Sequence, residues 1–185
     1  MAAPVETEYL LPNHNGPWTL DDVLALPEDH SQRIELIDGT LIVSPLGSVR
    51  HQRLVGRAFA AFDRDCPAEF EATVEINVRL SGGRLLIPDF TVIRPGAEGV
   101  MLPVEDVLLA GEVLSPSTRI NDLVLKRELY AEAGVPFYLM IDPQGPVVTA
   151  TLLELRGVKY VEVTTSDDGV LTLDRPFPVT ISLSA

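Results

Sequence analysis

Two carboxylates stand where carboxylates are costly. Glu112 lies inside the apolar run 107–114, which reads as a buried strand, and Asp89 follows Pro88 inside a second apolar run, 85–93. Desolvation obliges each acid to be paired, protonated or metal-bound. Two of them in neighbouring strands suit a hard divalent cation, since Mg²⁺ is held by one or two carboxylates and keeps several waters. Lys126, on the helix that follows Glu112, brings a cation to the same region, with Asp122 and Tyr130 at i−4 and i+4 on its face. An ammonium there is able to stabilise charge on a phosphorane or to lower the pKa of an attacking water. Carboxylates for a metal, a cation near the scissile group and room for a water are what metal-dependent phosphodiester hydrolysis requires.

Positioning these groups takes an ordered set of elements. Residues 1–18 carry prolines and asparagines with little periodicity and read as an extended arm. Thr19 caps a short helix that Pro27 ends, and Asp22 completes a variant of the capping box. Asp38-Gly39 between two β-rich runs marks a hairpin over 33–43 and puts Glu35 on a strand. Leu54, Val55, Ala58, Phe59 and Phe62 recur at helical spacing over 49–62, which leaves Arg50, Arg53, Arg57 and Arg64 on other faces. Strands over 71–80 and 84–93 flank the turn Ser81-Gly82-Gly83, and a loop with Pro and Gly covers 94–103. The Glu112 strand ends in a turn at 115–118, a helix over 121–133 stops at Gly134, and a strand over 137–141 follows. The order is α-β-β-β-α-β. Runs 147–155, 159–164, 170–173 and 179–183 read as an antiparallel extension of the same sheet, and the whole as one α+β domain over 1–185.

Composition narrows the classes. With 185 residues and 46% hydrophobic content the chain buries one substantial core. No apolar stretch reaches the length of a membrane span, and the first residues lack the pattern of a signal peptide, so a cytoplasmic protein without a membrane partner is expected. Cys66 is the single cysteine, which agrees with a reducing compartment and forms no internal disulfide. A net charge of −13 argues against nucleic acid as a partner, because non-specific binding rests on Lys and Arg against phosphates. The charge is segregated, however: the early acids precede any basic residue, whereas the arginines of the 49–62 helix and Arg119, Lys126 and Arg127 cluster later. A local basic face on an acidic body fits that pattern.

Pro88-Asp89 followed by Glu112-Val113-Leu114 on the order α-β-β-β-α-β resembles the PD-(D/E)xK nuclease superfamily, the restriction-endonuclease-like fold. A longer string resembles the bacterial Uma-two family of endonucleases: Arg33 to Gly39, His51, Pro88-Asp89, Glu112 to Thr118, Asp122, Lys126, Tyr130, Gly134-Val135 and Tyr138. The likeness covers residues 19–143. It implies a mixed central sheet flanked by helices, with an N-terminal hairpin and a C-terminal antiparallel β extension. It further implies a Mg²⁺-dependent DNA endonuclease, with Mn²⁺ as a substitute, weak and salt-sensitive DNA binding, and a homodimer that cuts both strands. Asp89 and Glu112 match the metal-binding acids, Glu35 an acid counted with that site, and Lys126 a lysine displaced from the strand to the helix. The superfamily lysine would stand two residues after Glu112, where this chain has Leu114 on the same strand face. Where the family often has Trp, this chain has Leu139, a packing change.

Plainer readings stand beside each assignment. Asp122 and Lys126 make a helix-surface salt bridge, Glu35 pairs with Arg33 on an exposed hairpin, and Asp89 and Glu112 are structural acids bonded to backbone or an arginine. His51 and Arg53 are the candidate substrate contacts, against a helix-terminal histidine and a solvated face. Ser115 and Thr118 read as caps of the next helix. A non-catalytic nuclease-fold module for protein or nucleic-acid interaction is the alternative function, favoured by the charge and by Leu114.

Overall fold

The computed structural model of the chain describes residues 11–27, 32–116 and 119–184; the expectations for 1–10 and for Thr118 lie outside them. Residues 11–18 are not a free arm. The Trp18 N–H donates to the Gly39 carbonyl at 2.9 Å, and Pro17 lies so close that a Cβ on Gly39 would meet its Cβ at 2.5 Å. α1 (Leu20–Leu24) starts at Thr19 with both halves of the capping box in place. β1 (Gln32–Ile37) and β2 (Thr40–Pro45) pair antiparallel across Asp38 and Gly39, whose φ of 49° and 79° are those of a two-residue primed turn.

α2 (Val49–Asp65) is capped by Ser48 and buries Leu54, Val55, Ala58, Ala61 and Phe62. The two long strands expected next each break in half and pass from one sheet to another. β3 (Glu71–Val74) and β4 (Asn77–Arg79) are separated by Glu75 at φ 48°, while β5 (Leu85–Leu86) and β6 (Phe90–Ile93) are separated by a segment holding Pro88, which has no N–H for a ladder. Asp89 is therefore not inside a strand but in the bend just before β6. The loop expected over 94–103 contains β7 (Met101–Pro103), parallel to β4. β8 (Val107–Val113) carries Glu112.

The helix after β8 is not α-helical throughout. Asn121–Lys126 form a π-helical stretch that runs on into α3 (Arg127–Glu132). β9 (Phe137–Asp142) lies parallel to β8, and β10 (Thr149–Arg156) and β11 (Lys159–Thr165) continue the sheet antiparallel. β12 (Val170–Leu173) and β13 (Val179–Ser182) do not extend it, contrary to expectation, but form a separate hairpin.

The fold class is mixed α+β. A six-stranded sheet in the order β11-β10-β9-β8-β6-β3 stands beside a five-stranded sheet in the order β2-β1-β5-β4-β7. One face of the six-stranded sheet packs through Phe90, Val92, Leu109, Val113, Leu139 and Ile141 on α2 and the β12–β13 hairpin. The hairpin leaves the sheet because its alternate residues Leu171, Leu173, Val179 and Ile181 join that α2 core. The opposite face packs through Ile93, Ala110 and Tyr138 on α3 and on residues of the five-stranded sheet such as Val78 and Leu86. Along the six-stranded sheet the chain order is α2, β3, β6, β8, α3 and β9, with β4, β5 and β7 of the other sheet between them. No helix among the described residues is long and apolar enough to cross a membrane.

Candidate functional site

Four acids and one lysine meet where these layers join. β1 offers Glu35, the bend before β6 Asp89, β8 Glu112 and the π-helical stretch Asp122 and Lys126; their exposures run from 1% to 5%. Lys126 is the hub. Its Nζ lies 2.9 Å from Glu112 Oε1, 2.9 Å from Glu35 Oε1 and 3.4 Å from Asp122 Oδ1. The surface salt bridge considered for Asp122 and Lys126 is therefore a buried cluster, and Glu35 faces Lys126 instead of solvent. Glu35 is fixed further by the Ile87 N–H, which donates to its Oε1 at 2.8 Å.

Asp89 is held from another side. Arg33 donates to its Oδ1, His51 Nε2 lies 3.2 Å from Oδ2, and the Val113 N–H donates to Oδ2 at 2.7 Å. Burial pushes the Asp89 carboxyl up, but His51, Arg33 and the Val113 N–H together hold it below the usual carboxylate range. The β6–β8 pairing sets this up, because Phe90 faces Gly111 in register and brings the residue before Phe90 beside the end of β8. A Cβ on Gly111 would meet the Phe90 ring at 2.1 Å, so any larger residue would have to displace that ring.

Glu112 is the strained member electrostatically. Burial pushes its carboxyl well above the ordinary range, Lys126 pulls it back, and Asp89, Asp122 and Glu35 push it further up. Lys126 loses from burial and gains more from Glu112, Glu35 and Asp122, so its ammonium stays charged. Among the described residues four acids thus face the side chains of Lys126 and Arg33 as fixed cations, with His51 beside Asp89, so acids outnumber the basic groups of the cluster and it is short of positive charge. Tyr130 is buried against the same acids, and its hydroxyl has no hydrogen-bond partner among the described residues. Tyr138 donates to the Asp122 carbonyl at 2.8 Å and so ties down the π-helical stretch.

No three His, Cys, Asp or Glu side chains among the described residues form a ready metal cage. A hard cation nevertheless fits the donor set. All the acids are oxygen donors, the cluster lacks positive charge, and Glu112 is pushed toward holding a proton that a metal ion would replace. Asp89, Glu112 and Glu35 are the side chains that would offer oxygen donors to one.

The candidate substrate residues part company. His51 is buried on Asp89, with its Nδ1 toward Gly47 and without a hydrogen-bond partner among the described residues, and it lines a cleft of about 500 Å³ together with Arg33, Arg50, Leu114 and Ser115. Arg53 is exposed and lines a different groove, about 700 Å³, with Arg50 and Arg57. Leu114 stands on the floor of the first cleft, 2% exposed. Sequence reasoning missed Arg33 as the partner of Asp89. The signal was present: Arg33 and Glu35 are two residues apart on one strand and share a face.

Residues 20–185 match the family Uma2, described as "Putative restriction endonuclease". Among curated proteins none matches the chain. Among solved structures it is similar to the crystal structure of "a putative nuclease belonging to DUF820" from Anabaena variabilis ATCC 29413. The TM-score is 0.68 and the identity 20%, with 86% of this chain and 90% of that chain covered.

Proposed function

This chain belongs to the Uma2 family, and from that premise we propose that it is a metal-dependent endonuclease that hydrolyses DNA phosphodiester bonds. The observation that carries the reading is the buried Glu35–Asp89–Glu112 cluster, short of positive charge, directly behind a cleft that a phosphate can enter. A divalent ion, Mg²⁺ with Mn²⁺ as its substitute, supplies Lewis acidity and a lowered water pKa when bound. Asp89 and Glu112 hold it, with Glu35 as the third oxygen donor. Lys126 keeps the acids oriented and carries a fixed positive charge beside them, which favours the charge that develops on the phosphoryl oxygens. His51 orients Asp89 through Nε2, and Arg33, whose guanidinium sits on Asp89, lines the cleft and offers its remaining N–H groups to a phosphate.

One observation favours a second reading, a non-catalytic module: both Asp89 oxygens are already engaged by Arg33, His51 and Val113. Titration calorimetry with Mn²⁺, followed by plasmid cleavage in Mg²⁺ and in EDTA, separates the two. The endonuclease reading expects binding and Mg²⁺-dependent cleavage, both lost in Asp89→Ala and Glu112→Ala. A folded protein that binds no divalent ion and cleaves no DNA overturns it.

A further inference from the structure

α2 presents Arg50, Arg53 and Arg57 at i, i+3 and i+7, on one face of the helix. None of the three is in an ion pair among the described residues, although the protein carries 27 acids and a charge of −13. Other arginines find acids readily: Arg64 on the same helix pairs with Asp65, Arg84 with Asp38 and Glu132, and Arg119 with Asp142. Among the described residues six of the twelve arginines are in ion pairs with acids, and three of the six that are not follow one another on this one helix face, which concentrates their charge there.

All three line the groove of about 700 Å³, whose far wall is Val147, Gly169, Leu183 and one acid, the exposed Asp168. Arg50 also lines the cleft in front of Asp89, and the two walls are continuous through consecutive residues, Pro143 to Gly145 on one and Pro146 to Val148 on the other. We propose that the arginine face of α2 is a binding site for the phosphate backbone of duplex DNA, which leads the strand along α2 into the cleft before Asp89. The proposal rests on the nuclease reading for the identity of the polymer.

The geometry suits a backbone. Arg50 to Arg57 spans about 10 Å along the helix axis, and phosphates recur every ~3.4 Å of axis along one DNA strand, so the span covers about four successive phosphates, enough for each arginine to meet its own. Neither groove has a Phe, Tyr or Trp on its described walls, and the one imidazole there, His51, is buried on Asp89, which leaves no exposed platform for stacking unpaired bases. Guanidinium groups on phosphates and no base-reading surface mean recognition indifferent to sequence.

The test is anisotropy of a short labelled duplex of mixed sequence, in EDTA so that nothing is cleaved, at several salt concentrations between about 50 and 200 mM. The parent is compared with R50Q/R53Q/R57Q and with Arg94→Gln, an exposed arginine outside both grooves. Removing three phosphate contacts lowers the slope of log affinity against log salt by about 2.7, which is roughly 40-fold in salt sensitivity over that range. Arg94→Gln and a duplex of scrambled sequence are expected to behave as the parent does. Equal slopes for the parent and the triple variant overturn the site, as does tighter binding of the single strand or no binding by the parent at the lowest salt. Cleavage separates this from the nuclease reading. A parent that cleaves DNA while the triple variant keeps its slope leaves the nuclease and removes the track; a slope lost without cleavage by the parent does the reverse.

Discussion

The guanidinium of Arg33 sits on Oδ1 of Asp89, the oxygen that a metal ion at the acid cluster would also claim. Arg33 is 14% exposed at its side chain and Asp89 1%, so Asp89 is the main compensation for burying the arginine, and Arg33 with His51 compensates the acid. Removing the arginine leaves the buried carboxylate with only His51 and the Val113 N–H to hold it. Arg33→Gln is expected to lower metal-free stability by about 3 kcal/mol and to raise Mn²⁺ affinity, because the competitor for Asp89 is gone. Denaturant melts with and without Mn²⁺ check both halves: the variant should recover more from the ion than the parent does. Equal Mn²⁺ affinity in the two proteins would show that Arg33 and a metal do not compete.

Glu112 makes the metal-free protein sensitive to pH. Its folded carboxyl is raised above the roughly 4.3 of an unfolded glutamate, so between those values the native state binds the extra proton. The contribution is fully present below the unfolded value and is lost as pH rises toward the folded one. Asp89 acts oppositely, since its carboxyl is held low, and its contribution is lost as pH falls into the acid range. Urea midpoints of the metal-free protein should therefore fall as pH rises above about 4.3, and Glu112→Gln should flatten that limb while leaving the acid limb of Asp89. Metal binding should release a proton, seen as a buffer-dependent heat in calorimetry. An unchanged alkaline limb in Glu112→Gln would refute the assignment.

Much of this site was legible in the sequence for a simple reason. A charged residue in an apolar run has few explanations, and the runs around Asp89 and Glu112 left both acids buried, as found. The capping box at Thr19 and the Asp38-Gly39 hairpin were legible because their chemistry is local. What escaped was non-local. The breaks at Glu75 and Pro88 depend on a strand changing sheets, β7 pairs across more than twenty residues with β4, and the β12–β13 hairpin is claimed by the α2 core rather than by the sheet. The π-helical turn at 121–126 has no signal of its own in the sequence, since a helical apolar pattern is nearly the same for both helix types. The depth of Lys126 follows from that turn and from Tyr138 beneath it.

Gly111 sets the register that brings Asp89 to the end of β8. A Cβ at this position would stand 2.1 Å from the Phe90 ring, which is itself packed on Phe62 with centroids 5.9 Å apart and is not free to move. Gly111→Ala should cost about 3 kcal/mol, the upper part of the range for overpacking a core. Trimming the ring in Phe90→Leu should recover part of that loss in the double variant, although Phe90→Leu alone destabilises. Thermal melts of the three variants test it. Simple additivity of the two substitutions would mean that the glycine is tolerated for some reason other than the ring.

Among the described residues Lys126 is the cation that pairs with Glu35, Glu112 and Asp122, so its removal bears on both stability and chemistry. Lys126→Ala leaves three buried carboxylates facing one another, and the metal-free protein should lose about 3–5 kcal/mol. A divalent ion should offset much of that loss, because it supplies the charge the lysine had carried. An ammonium is not a metal ligand, so the variant should still bind Mn²⁺, and nuclease activity should fall by two orders of magnitude or more, as on loss of a preorganised charge. Leu114 follows β8 on the face that carries Glu112 and lies on the cleft floor, so a lysine there can bring its ammonium to the same acids. Adding Leu114→Lys to Lys126→Ala should restore part of the activity, provided the double variant still melts cooperatively in Mg²⁺. The melting temperature is the control, since a lysine in a site 2% exposed costs several kcal/mol unless the acids take it up. Full activity in a folded Lys126→Ala protein would sink the role of the displaced lysine.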